Sequence, residues 1–242
     1  MHSMPFRVRG REVSRVEAFS DVVFGFALTL IVVSLEVPTK YEDLINTLKG
    51  YPAFAICFAI LTWIWFVHHT FFRRYALTDE ITIALNTVLL FIVLMYIYPM
   101  KYMFSIVTGQ IDGRSNPSTL FIIYGAGFAG IFLVFYFMYL HALRKREQLD
   151  LNEVEVHDTI TAMQMYVAYV AIGVISLLIG AFGTGRRWMV WAGWIYFFIG
   201  PVSAFIGYRR GTLRERLVEH LTATNQAAPV TVDPRDAVAP PA

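Results

Sequence analysis

Hydrophobic positions along the chain gather into six long runs, at about residues 16–37, 51–72, 81–104, 118–143, 160–183 and 187–208. Each is long enough for a helix that crosses a bilayer, which needs about 20 mostly apolar residues. Polar residues collect between the runs, with ordinary turn chemistry in the stretch from Thr108 to Gly113, in Ser115-Asn116-Pro117 and in Gly183-Thr184-Gly185. The pattern predicts an all-α integral membrane protein with six transmembrane helices per subunit and the lipid bilayer as its solvent. No span's motif recurs in another, so residues 1–208 are expected to form one six-helix domain. Residues 209–222 predict a short polar helix at the membrane surface. Residues 223–242, rich in Ala, Pro and Thr without a periodic apolar face, predict a disordered tail.

Composition agrees and narrows the picture. The chain is 57% hydrophobic and 16% charged, with a mean hydropathy of +0.54; soluble domains carry about 25% charge. The first run is not expected to be a cleaved leader, because it continues to Leu35, contains Asp21 and ends in Glu36-Val37-Pro38-Thr39-Lys40 instead of a small-residue cleavage site. The single cysteine, Cys57, lies inside an apolar run and excludes an intrachain disulfide.

The net charge of +2 says less than its distribution. The N-terminus, the segments at 73–80 and 144–159, and the C-terminus hold 14 Lys and Arg together, against 6 in the alternate segments. Lysine and arginine counts set orientation, so both termini are expected on the cytoplasmic side of a cell inner membrane. The acidic residues Glu147, Asp150, Glu153, Glu155 and Asp158 offset the charge of one cytoplasmic loop without overturning the bias. No nucleic-acid partner is expected.

Polar groups inside spans cost several kcal/mol unless partnered, about 2.5–3.5 kcal/mol for Asp on insertion scales. Ser20 and Asp21 in the first span, His68 and His69 in the second and Asn86 in the third therefore predict one interhelical network, with Trp63 and Trp65 beside it. A helical wheel of about 100° per residue places Thr29, Leu30 and Val33 within about 60° of Phe26, and Ser20 and Asp21 about 120° or more away. Spacing leaves two readings of the stripe open: plain helix packing, or a pore surface that the network holds in place. Adjacent histidines point about 100° apart, unlike the i, i+4 pairs that zinc prefers, so no metal site is expected at His68-His69. His141 and His157, at a span's end and in a loop, are expected to be solvated. No hydrolase, Walker, zincin or dinucleotide motif is present, and no TVGYG filter; the chain is not expected to be an enzyme or to carry a cofactor. Tyr96, Tyr98 and Tyr102 around Pro99 and Lys101 predict an interfacial aromatic belt.

Arg15-Val16-Glu17-Ala18-Phe19-Ser20-Asp21 forms an RxxxFSD motif, joined by Trp65-Phe66-Val67-His68-His69 and by Asn86 followed by Pro99. Over about the first 105 residues this resembles the transmembrane protein 175 family, the endolysosomal potassium channel of animals and its bacterial relatives. The resemblance adds Arg15, Phe19 and Trp65 to the structural network. It implies a homotetramer whose first helices line a potassium-permeable pore, with potassium as the permeant ion. It also implies a threonine ring at Thr29 that aids selectivity, and apolar constriction positions at Phe26, Leu30 and Val33. Phe26 stands where the family channels carry isoleucine, so the resemblance leaves open a constriction that is tighter, differently gated or closed to potassium, the last making the chain a non-conducting structural or regulatory membrane protein of the same fold.

Overall fold

The computed structural model describes residues 6–33, 40–109, 117–183 and 191–227, and among them the chain is helical with no strand. The helices are α1 (Arg15–Val33), α2 (Tyr41–Tyr75), α3 (Glu80–Val107), α4 (Pro117–Arg144), α5 (Glu153–Phe182) and α6 (Ile199–Ala227), with a 3₁₀ turn (Ile195–Phe198) leading into α6. Six helices, the last counted from Trp191 to Ala223, are long and apolar enough to cross a membrane. The segment from Glu36 to Thr39, the turn residues from Gln110 to Asn116, the Thr184-Gly185 break and the tail beyond Ala227 lie outside the described residues.

Several helix ends differ from the hydropathic expectation, because capping rather than apolarity decides where a helix starts. α5 begins at Glu153, before the predicted span, so Glu153, Glu155 and Asp158 are helical and not loop residues. Asn152 caps it: its side chain accepts from the Glu155 amide at 2.8 Å, and Glu155 reaches back to the Asn152 amide at 3.1 Å, a reciprocal capping box. α2 begins at Tyr41 and carries Pro52 inside it. The polar stretch 209–222 is not a separate surface helix but the continuation of the sixth span, and the helix enters the predicted tail as far as Ala227. Arg210 donates to Gln164 at 2.8 Å and Arg214 to Asp158 at 3.0 Å, which holds this extension against α5.

The tightest packing joins α4 and α5, where small residues let backbones approach. A Cβ on Gly125 would stand 2.7 Å from the Gly173 carbonyl oxygen, and one on Gly173 would stand 3.0 Å from the Ala129 Cβ. Buried aromatic rings fill the interior beside this seam, Phe132 lying 4.9 Å from Tyr169 and 5.4 Å from Trp63. α3 packs on α4, α6 on α5, and α1 sits at the edge against α2 and α3.

The two histidines expected in solvent are covered. His141 meets the Asp79 carboxylate at 2.8 Å, with Lys145 at 3.4 Å from the same oxygen. Burial alone would push the Asp79 carboxyl up, but the Thr82 hydroxyl, His141 and Lys145 together hold it down at about 2. His157 is packed so that both ring nitrogens are buried. Both were misjudged because the neighbouring helices are longer than their apolar runs and carry cover with them.

An outward face of α1 and its polar support

α1 is divided lengthwise. Glu17, Ser20, Phe24, Ala27 and Ile31, spaced three and four apart, are buried against α2 and α3. Phe19, Val22, Phe26, Thr29 and Val33 lie on the opposite side and are exposed, Phe26 by 59% and Val33 by 72%. Leu30 is half-buried at the margin of this face. Among the described residues Arg15 is exposed without a side-chain hydrogen bond, so the structure does not bring Arg15 or Phe19 into the network within one subunit. The Thr29 hydroxyl donates to the Gly25 carbonyl at 2.9 Å. Its hydrogen is thus occupied, and the oxygen lone pairs remain for another group.

Behind the outward face the predicted polar residues converge in two sets. In the first, His68 Nε2 and Asn86 Oδ1 are 2.8 Å apart, Asn86 Nδ2 donates to Ser20 Oγ at 2.8 Å, and Ser20 donates to the Val16 carbonyl at 2.8 Å. Each group in this chain donates to the next. That direction makes Nε2 the protonated nitrogen of His68 and leaves Nδ1 as a bare acceptor, buried without a partner among the described residues. Phe24 and Phe72 stand 5.4 Å and 4.8 Å from the His68 ring and seal it. In the second set Trp65 Nε1 donates to Asp21 Oδ1 at 2.7 Å, and His69 Nδ1 lies 3.2 Å from Glu17 Oε1. The Trp65 and His69 rings stack at 5.5 Å.

Glu17 was missed by reasoning from sequence, although its signal was available. Glu17 and Asp21 are four apart on α1, and Trp65 and His69 are four apart on α2. Residues at i and i+4 share a helix face, so two antiparallel helices can match two acceptors to two donors as a pair of rungs. Ser14-x-x-Glu17 instead reads as a capping box, and the Ser14 hydroxyl does accept from the Glu17 amide at 3.2 Å. The Glu17 carboxylate, however, turns to His69. Among the described residues no three or more His, Cys, Asp or Glu are grouped to hold a metal.

A further set of contacts had no counterpart in the sequence reading. Residues 6–10 run as an extended strap across the arginine-rich end of the bundle. The amides of Arg9 and Gly10 both donate to the Arg73 carbonyl at 3.1 Å, and Arg73 donates back to the Gly10 carbonyl at 3.0 Å. The Arg7 amide donates to Glu155 at 2.8 Å, and Arg9 Nη2 meets the same carboxylate at 2.7 Å. Arg9 also donates to the Leu149 carbonyl at 2.9 Å, and Phe6 packs edge-on to Tyr75 at 5.5 Å.

Comparison with known proteins finds channels among the proteins similar to this chain. The profile of the family described as endosomal/lysosomal potassium channel TMEM175 matches residues 15–96, the stretch that holds α1, the network and most of α3. A Marivirga tractuosa protein named as a potassium channel is 35% identical over 233 residues, 88% of this chain and 94% of the relative. A Chamaesiphon minutus potassium channel is 34% identical over 96 residues, 36% of this chain and 47% of the relative. A crystal structure of a variant of the potassium channel MtTMEM175, in complex with a nanobody–MBP fusion protein, matches with a TM-score of 0.75 and 33% identity, covering 87% of this chain and 99% of that one.

Proposed function

Since the chain belongs to the endosomal/lysosomal potassium channel TMEM175 family, we propose that it is a potassium-selective or weakly selective cation channel whose pore is lined by the outward face of α1. The observation that carries the reading is the division of α1. All its buried polar side chains point into the subunit, and its exposed side carries Phe26, Thr29 and Val33. One subunit holds no axis for that face to surround, so the pore needs copies related by rotation, and four are proposed here. Phe26, the bulkiest side chain of the stripe, forms the narrowest ring. An ion there sheds water without receiving oxygen ligands, which makes an apolar ring a barrier by dewetting. Thr29, one turn on, offers the first hydroxyl oxygens. Val33 continues the lining, and Leu30 contributes from its margin.

The arginine-rich end is proposed to face the cytoplasm of a bacterial cell, with both termini there and the protein in the inner membrane, on the 14-to-6 bias of Lys and Arg. The deciding experiment is flux from liposomes loaded with potassium or with sodium. Conduction favouring potassium is expected, with Phe26→Ala raising the rate several-fold and Thr29→Val narrowing the preference. A wild-type protein that passes neither ion, and stays silent as Phe26→Ala, would make it a non-conducting member of the family with a structural or regulatory role.

A further inference from the structure

We infer that Glu155 and Arg9 are positioning residues for the pore, acting through the strap to hold the start of α1 away from the axis; this rests on the proposed channel reading. α1 is the edge helix of the subunit, seated among the described residues on α2 and α3. Beyond its own polar rungs, it is tied to the rest of the subunit through the strap, which joins it across the four residues from Arg11 to Ser14. The strap's anchor is one buried carboxylate. Glu155 receives the Arg7 amide at 2.8 Å, Arg7 Nη2 at 3.2 Å and Arg9 Nη2 at 2.7 Å, while still capping α5. Glu155 lies in the first turn of α5, which packs along its length against α4.

The direction of the pull follows from the division of α1. The strap attaches on the subunit's side, and the exposed stripe faces the opposite way, toward the symmetry axis of the proposed oligomer. An intact strap therefore draws the first turn of α1 outward, and a released strap lets it settle inward and narrow the arginine-rich entrance. Thr29 lies 14 residues beyond Arg15, about 21 Å along the helix, so the entrance changes without altering the selective position.

Glu155→Gln tests this cleanly, because glutamine still serves in a capping box but carries no charge for the two arginines. In liposomes it should lower potassium flux several-fold with the potassium-to-sodium ratio unchanged, and should speed hydrogen exchange in residues 15–20. Asn152→Ala, which removes the cap and leaves the arginine contacts, should leave flux and that exchange at the wild-type level. Gly10→Ala is the second route: its Cβ would stand 2.7 Å from the Phe72 carbonyl oxygen, lifting the strap without touching any charge, and it should reproduce Glu155→Gln. Wild-type conduction that both strap variants share unchanged would overturn the inference, as would a loss of flux in Asn152→Ala equal to theirs. A wild-type protein that does not conduct would instead fail the channel reading, and exchange at residues 15–20 would then still decide whether the strap restrains α1.

Discussion

At the scale of single residues, the two sets of polar contacts behind α1 should respond differently to substitution. Asp21 accepts from Trp65 with one carboxylate oxygen, and asparagine presents an oxygen of the same reach. Asp21→Asn is therefore expected to assemble nearly as the wild type does. Asp21→Ala leaves the indole N–H without its acceptor, at about 1–2 kcal/mol on the scale found for interhelical bonds in membranes, and should lower the yield of oligomer in detergent. Size-exclusion profiles of the two variants check this; equal losses would show that charge and not the bond matters. Glu17→Gln belongs to the same test, because its partner His69 is an imidazole that bonds a neutral acceptor as well. The residues named from sequence in this region were found because buried polar groups in an apolar run must have partners. Arg15 and Phe19 came from the motif alone, and the single subunit leaves both on the outward side.

At the scale of elements, the α4–α5 seam leaves no room for larger side chains. Gly125→Leu would force a branched side chain into a site where even a Cβ meets backbone at 2.7 Å. Overpacking of this kind costs about 1–3 kcal/mol or more, and thermal melting in detergent should drop by several degrees. The α2–α3 corner offers a contrast controlled by pH. Asp79 sits well below the ordinary carboxylate value of 3.8 when folded, at about 2. Its contribution is thus complete above the ordinary value and is lost as pH falls through the folded one. Melting curves taken from about pH 5 down to about pH 2.5 should show a smaller loss in Asp79→Asn than in the wild type, because the variant has nothing to protonate at this position.

The centres of the six spans were readable because a membrane crossing requires a long apolar run. Their ends were not, because caps such as Asn152 with Glu155 are local polar devices that hydropathy does not weigh. The strap was illegible for a different reason. Arg7-x-Arg9-x-Arg11 reads as a solvated basic run, and the carboxylate that organises it is 148 positions away from Arg7.

At the scale of the whole molecule, the proposed orientation and assembly each predict a direct observation. Reporter fusions at the C-terminus and at Gly113 should report opposite sides of the membrane; the same side for both would contradict the bias of Lys and Arg. Cross-linking in native membranes should trap species up to four subunits, and monomers alone would remove the shared axis on which the pore depends.

The lengthwise division of α1 also bears on how such a protein can change over time. The side chains proposed to line the pore, Phe26, Thr29 and Val33, are exposed on their own subunit, whereas those that seat the helix, Ser20, Phe24 and Ala27, are buried away from the outward face. A substitution on one side is therefore nearly silent on the other. On the proposed pore, lineages can change the ring size at the Phe26 position while inheriting the same scaffold intact. Permeability in this architecture is a trait that can diversify without first crossing a valley of misfolded intermediates.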